Sequence, residues 1–192
     1  MQQEVEKEVE KEVEKEENIA YRDTRYKDKS TEEIADEIDD DFGDLTEVRR
    51  ELPACSSNIR GVFGGGDSPP KVGTIDYVTI ASKGNAASFG DLTQERSNLA
   101  ACSSSTRGLY LGGYESDITN TIDFITISTL GNASDFGDLT QARYGVSAFS
   151  SSTRGVSAGG YVAPARVNTM DYVTIATLGN ASDFGDLTQA RF

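Results

Sequence analysis

The chain has no histidine and no tryptophan, only two cysteines and four prolines among 192 residues, and no apolar run near the roughly 20 residues a membrane-crossing helix needs. Without histidine it lacks the commonest general base and the commonest transition-metal ligand. The serine-rich stretches at 103–105 and 150–152 have no imidazole to activate a nucleophile and read as strand-to-turn segments. The glycine-rich stretch 61–66 is followed by neither Lys-Ser/Thr nor a helical pattern, which argues against a phosphate cradle. The carboxylates Asp135, Asp138, Asp183 and Asp186 recur beside Asn132 and Asn180 and offer oxygen ligands of the kind calcium takes. The first repeat, however, has Ser88 in place of the first aspartate, and carboxylates accepting turn N–H bonds account for the rest. The expectation is a protein that is not an enzyme, with no catalytic residues, no cofactor and no metal.

Positive charge is also scarce, with 18 Lys and Arg against 32 Asp and Glu for a net charge of −14. The excess is local: residues 1–46 hold 7 basic and 18 acidic side chains, leaving only −3 for the rest. Such a chain is repelled by phosphate backbones and anionic headgroups, so neither nucleic acid nor membrane insertion is expected. Residues 1–17 lack the apolar core of a signal peptide, which predicts a cytoplasmic location unless the protein belongs to a virus particle.

What the chain does have is repetition. Phe-Gly-Asp-Leu-Thr begins at Phe42, Phe89, Phe136 and Phe184, in steps of 47, 47 and 48 residues, a period that suits one supersecondary unit stacked on copies of itself. The middle copy shows the unit. An apolar run at 99–103 ends in Ser-Ser-Thr-Arg-Gly, a turn signal; a second strand is expected at 109–113, a third at 121–128, and a short outer strand at 135–140 after the Gly131-Asn132 turn. The third is apolar on both faces, as in a sheet covered on both sides. The fold class is therefore all-β, with three four-stranded repeats at about 47–93, 94–140 and 141–188 and an extra outer strand at 41–46. Residues 1–40 are an acidic, low-complexity segment, helical or disordered, with Glu-Val-Glu-Lys repeats and a capping box at Ser30 and Glu33.

Positions that recur must satisfy packing in every copy, while those that vary are free for other work. Arg60, Arg107 and Arg154 mark the first hairpin, and Arg49, Arg96, Arg143 and Arg191 close each outer strand. Gly65-Gly66, Gly112-Gly113 and Gly159-Gly160 end the second strand, where missing side chains allow positive φ or close backbone approach. Asp76, Asp123 and Asp171 sit inside the apolar third strand and need partners if buried; Arg107 is the partner expected for Asp123. Cys55 and Cys102 occupy one slot in successive copies, with Phe149 in the third, and read as small buried hydrophobes. A binding site should use the irregular loops 67–73, 114–120 and 161–168, the last holding the extra residue of its copy. Tyr114, Glu115, Asp117, Tyr161 and Arg166 are the candidates there, the tyrosines for stacking on a sugar or protein surface.

An arginine ahead of the first strand, a mostly apolar run into a double glycine, and aromatics spaced over about 47 residues resemble the kelch repeat. The likeness covers residues 41–192. It departs from the usual pattern in having no tryptophan, so Phe89, Phe136 and Phe184 fill the outer-strand aromatic slot, with Tyr77, Phe124 and Tyr172 farther off. The resemblance implies β-propeller blades that bind a protein or glycan through their loops. The near-verbatim copying is also similar to repeat arrays of structural proteins predicted for tailed bacteriophages of marine origin, which implies a virion or tail-associated role. An intracellular kelch-type adaptor is the alternative. The copper oxidases of the kelch type need histidine, so their activity does not carry over. Three blades cannot meet around an axis, so the expectation is an incomplete or open ring: a piece of a longer array, an open three-blade wedge, or half of a propeller completed by self-association with a second copy.

Overall fold

The computed structural model describes residues 42–192, and the acidic segment with its expected helices lies outside the described residues. The described part is all-β. Its strands are β1 (Ala54–Ser56), β2 (Arg60–Gly64), β3 (Thr74–Thr79), β4 (Ala87–Asp91), β5 (Ala100–Ser103), β6 (Arg107–Leu111), β7 (Thr121–Thr126), β8 (Ser134–Asp138), β9 (Ser147–Ser150), β10 (Arg154–Ala158), β11 (Tyr161–Val162), β12 (Ala165–Arg166), β13 (Thr169–Thr174) and β14 (Ser182–Asp186). Each repeat folds into one open antiparallel sheet, in the orders β1-β2-β3-β4, β5-β6-β7-β8 and β9-β10-β13-β14, while β11 and β12 form a separate two-stranded ribbon.

Local chemistry sets these limits. The first hairpin of each sheet is closed by a serine: Ser104 Oγ accepts the backbone N–H of Thr106 and Arg107, and Ser57 and Ser151 act alike. Pairing therefore resumes at the arginine, so the second strand runs over 107–111 and the glycines expected at its end lie just outside it. Gly112, at φ 61°, leaves the strand so close to the next repeat that a Cβ would stand 2.5 Å from the carbonyl oxygen of Arg143. Each fourth strand carries a bulge: Ile122 pairs with Gly137 but Asp123 with Asp135, leaving Phe136 unpaired, and the other two sheets repeat this.

Residues 42–46, expected as an outer strand, form none. Every outer strand here pairs with the third strand of its own sheet, whereas these residues enter no ladder with the strands of the first sheet. The segment bonds instead to the first sheet's 84–86 turn, through Gly84 N–H to Phe42 O and Ala86 N–H to Asp44 O, both 2.8 Å.

The core lies between sheets. One cluster joins Cys55, Val62, Ile75 and Phe89 of the first sheet to Tyr110, Ile125 and Ile127 of the second. The next joins Cys102, Leu109, Ile122 and Phe136 to Val173 and Ile175 of the third. The first strands of the three sheets lie side by side, linked by serine hydroxyls: Ser103 Oγ donates to Ser56 O (2.7 Å) and accepts Ser56 N–H, and Ser150 does the same to Ser103. Sheets stacked face to face with neighbouring inner strands are the arrangement of propeller blades.

Candidate functional site

Two constellations stand out, one built from repeated residues at the seams between sheets and one from irregular residues on the loops. The seam comes first because it explains the repeated phrase. Within it Phe89 O accepts Gly131 N–H, Asp91 N–H donates to Asn132 Oδ1, and Thr93 Oγ1 donates to Asp123 Oδ1 at 2.6 Å. Three residues further on, Arg96 meets Asp123 at 3.1 Å with both side chains fully buried. Thr46 and Arg49 do the same for Asp76, and Thr140 and Arg143 for Asp171. The tail of one repeat thus grips the third strand and the Gly-Asn turn of the next, so Asn132 and Asn180 are engaged in seams.

This corrects the expected partner of Asp123. Arg107 lies in the same sheet, opposite Thr126, and turns the other way: its guanidinium stacks on Phe124 at 4.9 Å and donates to Ile175 O of the next sheet at 2.9 Å. Arg60 repeats this with Tyr77 and Ile127 O, and Arg154 stacks on Tyr172. The true partners, Arg96 and its equivalents, were visible among the recurring residues. Threonine, arginine three positions on, and aspartate 30 or 31 after the threonine recur at all three seams.

Burial shapes the chemistry of these groups. Desolvation lowers the pKa of Arg96 and Arg143, and the facing aspartates counteract it. Cys55 and Cys102 are free thiols whose pKa values burial pushes up to about 11 and about 12, so neither is a thiolate near neutral pH. The seam holds neighbouring sheets together.

On the loops, each repeat forms a small hairpin bridged at Asp67 and Lys71, Tyr114 and Ile118, or Tyr161 and Arg166. The loop expected at 161–168 is thus partly a ribbon, and the extra residue lies in its turn. Rings line up across these hairpins: Tyr114 to Tyr144 at 5.8 Å, Tyr144 to Tyr161 at 5.3 Å, Tyr161 to Phe192 at 6.0 Å. A cation sits over the ring at each end, Lys71 on Tyr114 (4.7 Å) and Arg166 on Phe192 (4.9 Å). Tyr114 remains 37% exposed and Phe192 61%.

Three of the five loop candidates, Tyr114, Tyr161 and Arg166, fall in this row. Glu115 and Asp117 do not join it. They serve their own hairpin, where Asp117 Oδ1 accepts Ile118 N–H and Glu115 accepts the Ser116 hydroxyl. Lys71 lies in the expected 67–73 loop, while Tyr144 and Phe192 were missed. Tyr144 stands where the other repeats have Arg50 and Ser97, and the first repeat replaces the ring contact by an Arg50–Asp67 ion pair at 2.8 Å. No family model matches the chain, and comparison with curated proteins finds no match.

Proposed function

We propose that the protein is a non-enzymatic structural and binding module whose irregular loop face engages a surface protein or glycan. The observation that carries this is the continuous row Tyr114, Tyr144, Tyr161 and Phe192, which runs across the loops of two repeats and has a cation at each end. Amphipathic rings on a fixed scaffold present contact area at low entropic cost. The kelch-like and phage-like features of the sequence support placement on a virus particle or its tail, where a rigid array would display such loops repeatedly.

The test is a glycan and cell-surface binding array probed with the full chain and with Tyr114→Ala/Arg166→Ala. This pair removes an exposed ring and an end cation without touching a seam. Binding by the wild type that falls at least tenfold in the variant, a loss of about 1.4 kcal/mol, supports the reading. Binding that is unchanged by the two substitutions rejects the loop face as the site.

A further inference from the structure

We propose that the outward face of the third sheet binds a second copy of this chain, with residues 184–191 taking, on the partner's first sheet, the place that residues 42–49 hold within one chain. The proposal concerns assembly and stands apart from the loop-face reading.

The two segments read Phe-Gly-Asp-Leu-Thr-Gln-Ala-Arg and Phe-Gly-Asp-Leu-Thr-Glu-Val-Arg, and differ only at Gln189/Glu47 and Ala190/Val48. The third seam keeps its grip with Gln141 and Ala142 at these positions, while Val48 is 94% exposed and Glu47 pairs with Arg49 of its own segment. The gripping atoms are otherwise the same, with Asp44 N–H on Asn85 Oδ1, Thr46 Oγ1 on Asp76 Oδ1 and Arg49 on Asp76. Two internal seams repeat that set, so the structure shows what a tail of this sequence binds. Residues 184–191 pack on no following sheet among the described residues. A Cβ on Gly137 would come within 2.6 Å of the next sheet's turn, whereas one on Gly185 would meet nothing within 4 Å, and Thr188 and Arg191 are exposed.

The apolar surfaces match as well. Ile127 and Ile175 are each 1% exposed inside the seams, while Ile80, the same position on the first sheet, is 47% exposed. Phe136 is 2% exposed in its seam, while its equivalent Phe184 is 46% exposed on the third sheet. Among the described residues, the first and third sheets thus each bear one half of a seam that exists twice between them.

Two features hold this association back. Residues 42–49 occupy the acceptor and are tethered to it, so a partner's tail must displace them. Phe149 fills the slot of Cys55 and Cys102, whose sulfurs lie so close to Gly108 and Gly155 that a Cβ there would stand 2.6 and 2.8 Å away. A phenylalanine facing Gly61 of the partner therefore makes a wider seam.

Light scattering of the full chain from micromolar to millimolar concentration tests this. The wild-type mass should rise with concentration, stopping at two chains if the ring closes and continuing if it stays open. Thr188→Ala/Arg191→Ala, which alters only exposed side chains, should remain at one chain with unchanged thermal unfolding. Thr46→Ala, which loosens the tethered segment, and Phe149→Cys, which narrows the seam, should each shift association to roughly tenfold lower concentration. The proposal is overturned if wild type and Thr46→Ala both stay at one chain throughout, or if association survives Thr188→Ala/Arg191→Ala.

Discussion

The seams and the loops of this molecule obey opposite rules. At the seams the same atoms meet three times over: a threonine and an arginine from one tail close on one aspartate, with an asparagine turn locked beside them. On the loops the same two positions carry an ion pair in the first repeat, a serine and a tyrosine in the second, and two tyrosines in the third. Sequence uniformity therefore marks where sheets must fit one another, and irregularity marks where the surface is released from that demand. In a repeat protein, the residues that look most important by recurrence are the scaffold.

The comparison can be broken most sharply at the buried charge. Asp123→Ala strands the Arg96 guanidinium in a dry seam and should cost about 3–5 kcal/mol, while Arg96→Met/Asp123→Leu, which removes both charges, should recover most of it. Urea unfolding of the wild type and these two variants checks this, and a double variant as unstable as Asp123→Ala would contradict it.

A second effect is set by pH. The folded state holds the thiol protons of Cys55 and Cys102 more tightly than the unfolded chain does, so their contribution is complete below the ordinary thiol pKa of 9.0 and is lost as pH rises toward about 11 and about 12. Each thiol should remove roughly 2–4 kcal/mol over that window. Burial also raises the pKa of Tyr110, which adds to the same alkaline loss. Thermal melts from pH 8 to pH 12 should fall less steeply for Cys55→Ala/Cys102→Ala than for wild type.

Gly137 and Gly185 sharpen the contrast between a closed seam and an open one. Both have positive φ, 142° and 127°, so alanine strains either backbone by about 1–3 kcal/mol. Only at Gly137 does the new methyl also strike the next sheet, so Gly137→Ala should unfold at lower temperature than Gly185→Ala. The smallest effect belongs to the loops: Glu115→Ala and Asp117→Ala should each change stability by no more than about 0.5 kcal/mol.

Much of the fold was legible because turn chemistry and period are local. Ser-Ser-Thr-Arg-Gly announced the first hairpin and Gly131-Asn132 the last turn, and the two-faced apolar third strand announced sheets covered on both sides. The partner of Asp123 was misassigned because Arg107 is nearer along the chain and lies in the same sheet, whereas Arg96 stands in the connection ahead of β5 and meets Asp123 only through the fold. Of the strand expected at 41–46, residues 42–46 bond to the 84–86 turn of the first sheet instead, and five residues copied verbatim do not show which neighbour they will meet. Of the row of rings and cations on the loops, Tyr114, Tyr161 and Arg166 could be picked out by breaking the pattern. Tyr144 and Phe192 lie beyond the variable loops and join them only through the stacking of one repeat on the next.

The serine ladder along the inner strands has a consequence for how such a molecule can lengthen. An innermost strand is a sheet edge, and a bare edge invites another strand to pair with it. Here the outward amide and carbonyl of Ser56 are both taken by a single hydroxyl, that of Ser103, and those of Ser103 by Ser150. Copies can be added sideways without their backbones ever merging into one continuous ribbon, which separates orderly stacking from the growth of a fibril.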